Sequence, residues 1–192
     1  VSIEGITLAP SGAEAASGKD VVVTMLPNGQ ILRAVANEII PSMEQNTAFI
    51  DCSTVDVESA RDVATQATDA GLLPVDAPVS GGQAGAENGQ LGVMCGGEQG
   101  AYDRAEAIID AYAKACKRLG DSGAGQLTKM VNQIAIAGLV QGLSEALHFA
   151  EHAGLDGKAV VEVISQGAAG SWQMSNRYQT MVADEFDHGF AV

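Results

Sequence analysis

The sequence predicts an α/β fold, a mainly parallel sheet followed by a helical region, and three observations carry that expectation. Short apolar runs at Val21–Met25, Ala48–Ile50, Leu73–Val75, Leu91–Cys95 and Cys116–Leu119 alternate with stretches of helical period, which is the spacing of βα units. The first run, Val21–Met25, is nearly continuous and β-branched, as suits a strand covered on both faces. Beyond Gly120 the short runs stop and a long proline-free stretch begins.

In chain order, residues 1–19 are weakly patterned, with a short apolar piece at Val1–Leu8 and an Ala- and Ser-rich piece at Ser11–Gly18. The strand Val21–Met25 stops at the turn signal Leu26-Pro27-Asn28-Gly29. A helix follows with Ile31, Leu32, Val35, Ile39 and Ile40 on one side. The run Ala48–Ile50 leads into Asp51-Cys52-Ser53-Thr54, where Ser53 or Thr54 is placed to cap a helix over 56–70. Next come the strand Leu73–Val75, a glycine-rich loop over Asp76–Leu91, the strand Leu91–Cys95, a helix over 99–113 and a short strand at Cys116–Leu119. From Gln126 to Ala153 the period is helical, and Leu127, Met130, Val131, Ile134, Leu139, Leu143, Leu147 and Ala150 mark an apolar stripe. A helix of that length spans about 42 Å, enough to bridge two domains, so a division into 1–122 and 123–192 is expected. Gly157–Ser165 and residues 171–182 read as further helices.

Composition narrows the function. Ten basic against 24 acidic residues give a net charge of −14, which repels nucleic acid and anionic membrane surfaces. With 46% hydrophobic residues a packed core is feasible. Cys52, Cys95 and Cys116 are odd in number and sit in or beside apolar segments, as buried reduced thiols of a cytoplasmic protein do. No apolar run approaches the roughly 20 residues of a membrane helix. The chain opens on Val1 and not on an initiator Met, so an internal fragment is expected.

In open parallel sheets ligands bind beyond the carboxyl ends of the strands. Three turn clusters lie at such ends: Leu26-Pro27-Asn28, Ser53-Thr54 and Ser80-Gly81-Gly82. The last belongs to a loop that also carries Gly85 and Gly89, and glycines expose backbone N–H groups with no Cβ to block a carboxylate or phosphate. A plain surface turn is the alternative reading of that loop. Lys129 and Asn132 stand three residues apart on the long helix, on one face. A lysine whose pKa burial has lowered serves as general acid or base, whereas a solvated helix lysine does not. His148 and His152 have the i, i+4 spacing of a zinc pair, but no third ligand accompanies them, so two ordinary helix histidines and no metal are expected. Ser80 lacks the Gly-x-Ser-x-Gly elbow of a hydrolase. Trp172 is read either as a pocket wall or as part of the core or an interface.

Taken together these motifs resemble the β-hydroxyacid dehydrogenase family, which includes 3-hydroxyisobutyrate dehydrogenase and tartronate semialdehyde reductase. Met25-Leu26-Pro27 and Ile50-Asp51-Cys52-Ser53-Thr54 resemble its cofactor-contacting strand ends. Asp76-Ala77-Pro78-Val79-Ser80-Gly81-Gly82, with Gly85 and Gly89, resembles its substrate signature. Gly123-x-Gly125-x-x-x-Lys129-x-x-Asn132 resembles its catalytic motif, with Glu145-Ala146 further along the same helix.

The resemblance implies a Rossmann-like domain truncated in its first βαβ half, then an incomplete all-α domain. It implies NAD or NADP at Met25, Leu26, Pro27 and Thr54, and a small 3-hydroxy acid at Ser80, Gly81, Gly82 and Asn132. Lys129 would be the general acid/base, and the subunits would form a homo-oligomer, dimer or tetramer. Two features depart from the family pattern. The opening strand with its Gly-x-Gly-x-x-Gly turn and a later second lysine are absent, and Gln133 stands where many relatives have Asn. The alternatives are a 6-phosphogluconate dehydrogenase-like decarboxylating enzyme, whose phosphate would want more Arg and Lys than this chain offers, and a catalytically inactive binding or oligomerisation module, which would be expected to have lost Lys129.

Overall fold

A computed structural model describes residues 5–186. A short helix α1 (Gly12–Ala16) precedes β1 (Val21–Thr24), α2 (Gly29–Ile39) with a 3-10 turn at Ile40–Ser42, β2 (Ala48–Asp51), α3 (Val57–Asp69) and β3 (Leu73–Asp76). The expected glycine-rich loop is partly ordered into β4 (Val79–Ser80) and α4 (Gly82–Glu87), after which come β5 (Leu91–Gly96), α5 (Gln99–Ile109) and β6 (Ala113–Gly120). Then follow α6 (Ala124–His152), α7 (Gly157–Ile164) and α8 (Trp172–Val182).

Strands β1, β2 and β3 are parallel, and their last residues fall in one row, Thr24 beside Asp51 and Asp51 beside Asp76. β5 meets β3 antiparallel at Asp76 and Gly96, pairs antiparallel with β4, and is parallel to β6. The sheet is therefore mixed, because α4 reverses the chain and no crossover helix carries it back to the start of β3. Both faces are covered. Phe49 packs with Leu32, Ala36, Ile39, Val63 and Ala67 on one side, while its neighbour Ile50 packs with Val75, Cys95, Ala105 and Ile109 on the other. That alternation is the period of two that a strand imposes.

Asn28 caps α2, its side chain accepting from Ile31 N. The cap of α3 is Asp56, whose carboxylate accepts from Ser59 N at 2.7 Å and Ser59 Oγ at 2.7 Å. This corrects the expectation that Ser53 or Thr54 caps that helix: Ser53 is buried against Asp51, and Thr54 stands outside the first turn.

The chain divides into two compact units, the first ending at Val131 and the second beginning at Asn132. The second has its own small core, in which Leu143 and Leu147 of α6 meet Val161 of α7 and Met174 of α8. Only the distal part of the expected apolar stripe is buried: Leu143, Leu147 and Ala150 are, whereas Leu127, Met130, Val131, Ile134 and Leu139 are exposed. Among the described residues no helix is long and apolar enough to cross a membrane.

The start of α6 is seated on the sheet. Asp76, the last residue of β3, accepts from Gly123 N at 2.7 Å through Oδ1 and from Gln126 N at 3.0 Å through Oδ2. A carboxylate there satisfies N–H groups that the helix cannot pair internally and meets the positive end of its dipole. Gly125 makes the approach possible, since a Cβ at that position would collide with the carbonyl oxygens of Met94 and Asp76. Asp76→Ala leaves two buried donors unpaired and is expected to cost about 2–4 kcal/mol in urea unfolding followed by circular dichroism. A loss under about 0.5 kcal/mol, the scatter of ordinary surface substitutions, would remove Asp76 as the anchor.

Candidate active site

The row of strand ends carries the groups from which a site is built. At the end of β1 the chain turns through Met25, Leu26 and Pro27, and Leu26 N donates to Ser53 Oγ at 2.8 Å. Ser53 Oγ donates in turn to Asp51 Oδ1 at 2.6 Å, which also accepts from Thr24 Oγ1 at 2.7 Å. The first two strand ends are thus tied through one carboxyl. Asp51 Oδ2 is buried without a partner, and burial pushes the Asp51 carboxyl above the ordinary carboxylate range against the hydrogen bonds of Ser53 and Thr24. The proposed cofactor contacts stay accessible above this network: Met25 is 66% exposed, and Pro27 and Thr54 are exposed. An uncovered methionine side chain and a free threonine hydroxyl at adjacent strand ends suit a flat, partly polar ring such as nicotinamide.

At the third end, Ser80 closes β4 and is half-buried. Gly81 and Gly82 follow at φ of 134° and 62°, conformations that favour glycine. Gly81 opens α4 without a side-chain cap, leaving first-turn N–H groups to an outside acceptor. Lys129 reaches this loop from α6, its Nζ donating to Val79 O at 2.8 Å. Half-buried there, its ammonium has its pKa lowered by desolvation. The sequence-predicted Lys129, Ser80, Gly81 and Gly82 are therefore neighbours within the first unit. Asn132 is the first residue of the second unit, and its amide donates to Gln133 Oε1 at 2.9 Å.

Gln126 was not among the residues the sequence suggested. Its side chain is fully buried: Oε1 accepts from Val55 N at 3.2 Å and Nε2 donates to Ser53 O at 2.8 Å. Asp51 and Asp76 were also passed over as site-builders, although a charged residue closing an apolar strand was the signal that could have found them. A glutamine in the first turn of a long helix carries no such signal.

Elsewhere, His148 and His152 gain a third potential donor in Glu151, the three ligand atoms lying within 4.8 Å of one another. The sequence reading overlooked Glu151. All three side chains are exposed on one helical turn, and they carry no assignment. Trp172 is 63% exposed, with the Arg177 guanidinium 5.6 Å from its ring centroid. The three cysteines are free thiols, Cys95 Sγ standing 3.5 Å from Cys116 Sγ.

Chemically, the first unit sets an amine biased towards its neutral form beside a loop of N–H donors. That pair suits an anionic substrate from which a nearby proton must be moved.

Residues 1–120 match the family described as the NAD binding domain of 6-phosphogluconate dehydrogenase, and residues 123–192 match the family described as NAD-binding of NADP-dependent 3-hydroxyisobutyrate dehydrogenase. An uncharacterized oxidoreductase of Shewanella frigidimarina is 51% identical over 182 residues, covering 93% of this chain and 62% of that protein. A 3-hydroxyisobutyrate dehydrogenase of Pseudomonas aeruginosa is 34% identical over 90% of this chain and 59% of that protein. The solved 3-hydroxyisobutyrate dehydrogenase of Mycobacterium tuberculosis with L-serine superposes with a TM-score of 0.80 at 34% identity, covering 88% of this chain and 58% of the other. The chain thus spans about 60% of the length of the relatives it matches.

The desolvation of Lys129 has a direct readout. In an NMR titration of ¹³Cε-labelled lysine its midpoint is expected below 10.5; a midpoint at or above that value would show the amine to be solvated.

Proposed function

The chain belongs to the β-hydroxyacid dehydrogenase family, and on that footing we propose that it is the core of an NAD(P)-dependent dehydrogenase of small 3-hydroxy acids, with Lys129 as general acid/base. The observation that carries the reading is Lys129 Nζ held at 2.8 Å from Val79 O, beside Ser80-Gly81-Gly82 and partly desolvated.

Each residue takes a role that follows from its chemistry. The substrate carboxylate lies against the Ser80 hydroxyl and the N–H groups of Gly81 and Gly82, where glycine's missing Cβ lets the anion approach the backbone. Lys129, as the neutral amine, removes the hydroxyl proton while the carbinol carbon gives up its hydride, and as the ammonium it returns the proton in the reverse direction. Its positive charge also stabilises the alkoxide that develops between these states. Asn132 hydrogen-bonds the substrate hydroxyl and orients it. Met25, Leu26, Pro27 and Thr54 would hold the nicotinamide end of the cofactor, and Ser53 fixes Leu26 by accepting its N–H. When bound, the nicotinamide supplies the redox chemistry by accepting or donating the hydride.

The substrate class follows from what the named relatives share. 3-Hydroxyisobutyrate and L-serine each carry a hydroxyl on the carbon β to a carboxylate, the separation that one carboxylate cradle and one amine would read. We favour an acid of the 3-hydroxyisobutyrate or tartronate semialdehyde and glycerate kind. Residues 1–122 form the cofactor part and 123–192 the linking helix and start of a helical part. A cytoplasmic homo-oligomer fits the free thiols and the exposed apolar residues of α6, Val131 and Ile134 among them.

Lys129→Ala is expected to lower kcat for hydride transfer from a 3-hydroxy acid to NAD(P) by about 100- to 10,000-fold, with little change in KM for the cofactor. Undiminished turnover would overturn the assignment. In the unsubstituted protein, oxidation needs the neutral amine and reduction the ammonium. The oxidation rate should therefore rise, and the reduction rate fall, through one apparent pKa below 10.5.

A further inference from the structure

Among the described residues, Gln126 is the largest fully buried polar side chain and the only side chain of the first turn of α6 that reaches another strand end. Its amide is engaged on both sides. Oε1 accepts from Val55 N at 3.2 Å and Nε2 donates to Ser53 O at 2.8 Å, so it bridges the backbone of the segment containing Thr54. Its own N–H is held by Asp76 Oδ2 at 3.0 Å. One residue therefore joins the end of β2, the end of β3 and the helix that carries Lys129 three positions later. From this geometry we infer that Gln126 is a positioning residue that fixes the cofactor-contacting segment Ser53-Thr54-Val55 relative to Lys129. The inference rests on the dehydrogenase reading for its catalytic meaning, but the clamp is a property of the chain.

The physical case is that both ends of the hydride path are otherwise held separately. Lys129 is fixed to the substrate loop by Val79 O, and Leu26 is fixed to Ser53 by Ser53 Oγ. Among the described residues, the hydrogen bonds from α6 side chains to the Ser53–Val55 backbone are those of Gln126. Hydride transfer requires the donor carbon and acceptor ring to be held within a fraction of an ångström, and small misplacements are costly. A buried amide making two backbone bonds sets such a distance better than apolar contact, because each bond is short and directional. Glutamate at this position would keep the acceptor for Val55 N but face Ser53 O with oxygen.

The test compares Gln126→Met, which keeps the volume, and Gln126→Glu with the unsubstituted protein. Hydrogen exchange at the Val55 amide should quicken in Gln126→Met, and the Lys129 amine should titrate closer to 10.5. Turnover with NAD(P) and a 3-hydroxy acid should fall about 10- to 100-fold, with a larger primary deuterium isotope effect and a raised cofactor KM. A purely structural glutamine would lower the amount of folded enzyme and leave the isotope effect, the cofactor KM and the lysine midpoint unchanged. That pattern, or an unaltered Val55 exchange rate in a folded Gln126→Met protein, overturns the inference. If the unsubstituted protein transfers no hydride, the dehydrogenase reading fails. The Val55 exchange and the lysine midpoint then still decide whether Gln126 is the clamp.

Discussion

The constraint on which the site depends is the carboxyl of Asp76 at the foot of α6. It ends β3 within the sheet and receives Gly123 N and Gln126 N from the helix. A helix leaves its first N–H groups without internal partners, and here those groups are buried, so the acceptor must come from the sheet. Once Asp76 supplies it, the direction of the first turn of α6 is set, and Lys129 lies one turn further along. Gly125 and Gly96 complete the seat from opposite sides, since a Cβ on either would meet this junction. Lys129 is thus placed by the end of a strand that lies 50 residues before Gln126 in the chain.

Most of the architecture was legible in the sequence for a physical reason. Strands such as Ala48–Asp51, buried throughout, and helices such as α2 reveal themselves by apolar runs and periodicity that many residues report together. Val21–Thr24, by contrast, is apolar enough for a strand covered on both faces but is only partly buried, with Val23 exposed. The glycine-rich loop stood out in the sequence as a candidate binding element, and the structure gives its glycines folding roles as well, with Gly81, Gly82 and Gly89 at positive φ. What remained hidden depends on single residues. Asp56 rather than Ser53 caps α3 because the Ser53 hydroxyl donates to Asp51 and accepts from Leu26 N, 27 residues earlier, a tertiary partner that no local window contains. The exposed proximal stripe of α6 reads in sequence like a core stripe, since periodicity tells which residues share a face and not what covers them. Gln126 is polar and lies in a helix, so burial is the one property that reveals its role.

The three strand ends differ in how they are made. The first two are stitched together by side chains, Thr24 and Ser53 converging on Asp51. The third, at Ser80-Gly81-Gly82, is built of glycines at positive φ, which leave backbone N–H groups uncovered by a Cβ. This difference matches the ligands proposed for them. A planar ring needs accessible side-chain surface on a rigid base, and Met25 and Thr54 offer it above the Asp51 network. A carboxylate needs several N–H donors at close range, which side chains would obstruct.

The net charge of −14 would seem to oppose binding of an anionic acid and an anionic dinucleotide. Burial supplies the local answer. Desolvation disfavours the charged form of any ionisable group, and it raises the pKa of both Asp51 and Asp76 while lowering that of Lys129. All three shifts run in the direction that disfavours charge, and for the two acids the hydrogen bonds they accept work against it. The same step leaves Lys129 readier to give up its proton before it must accept one from the substrate. A single physical cause, the exclusion of water from these groups, therefore shifts all three, and under the proposed mechanism it prepares Lys129 as the base. Under that mechanism the residues that keep water out of this junction matter to the chemistry as much as Lys129 itself.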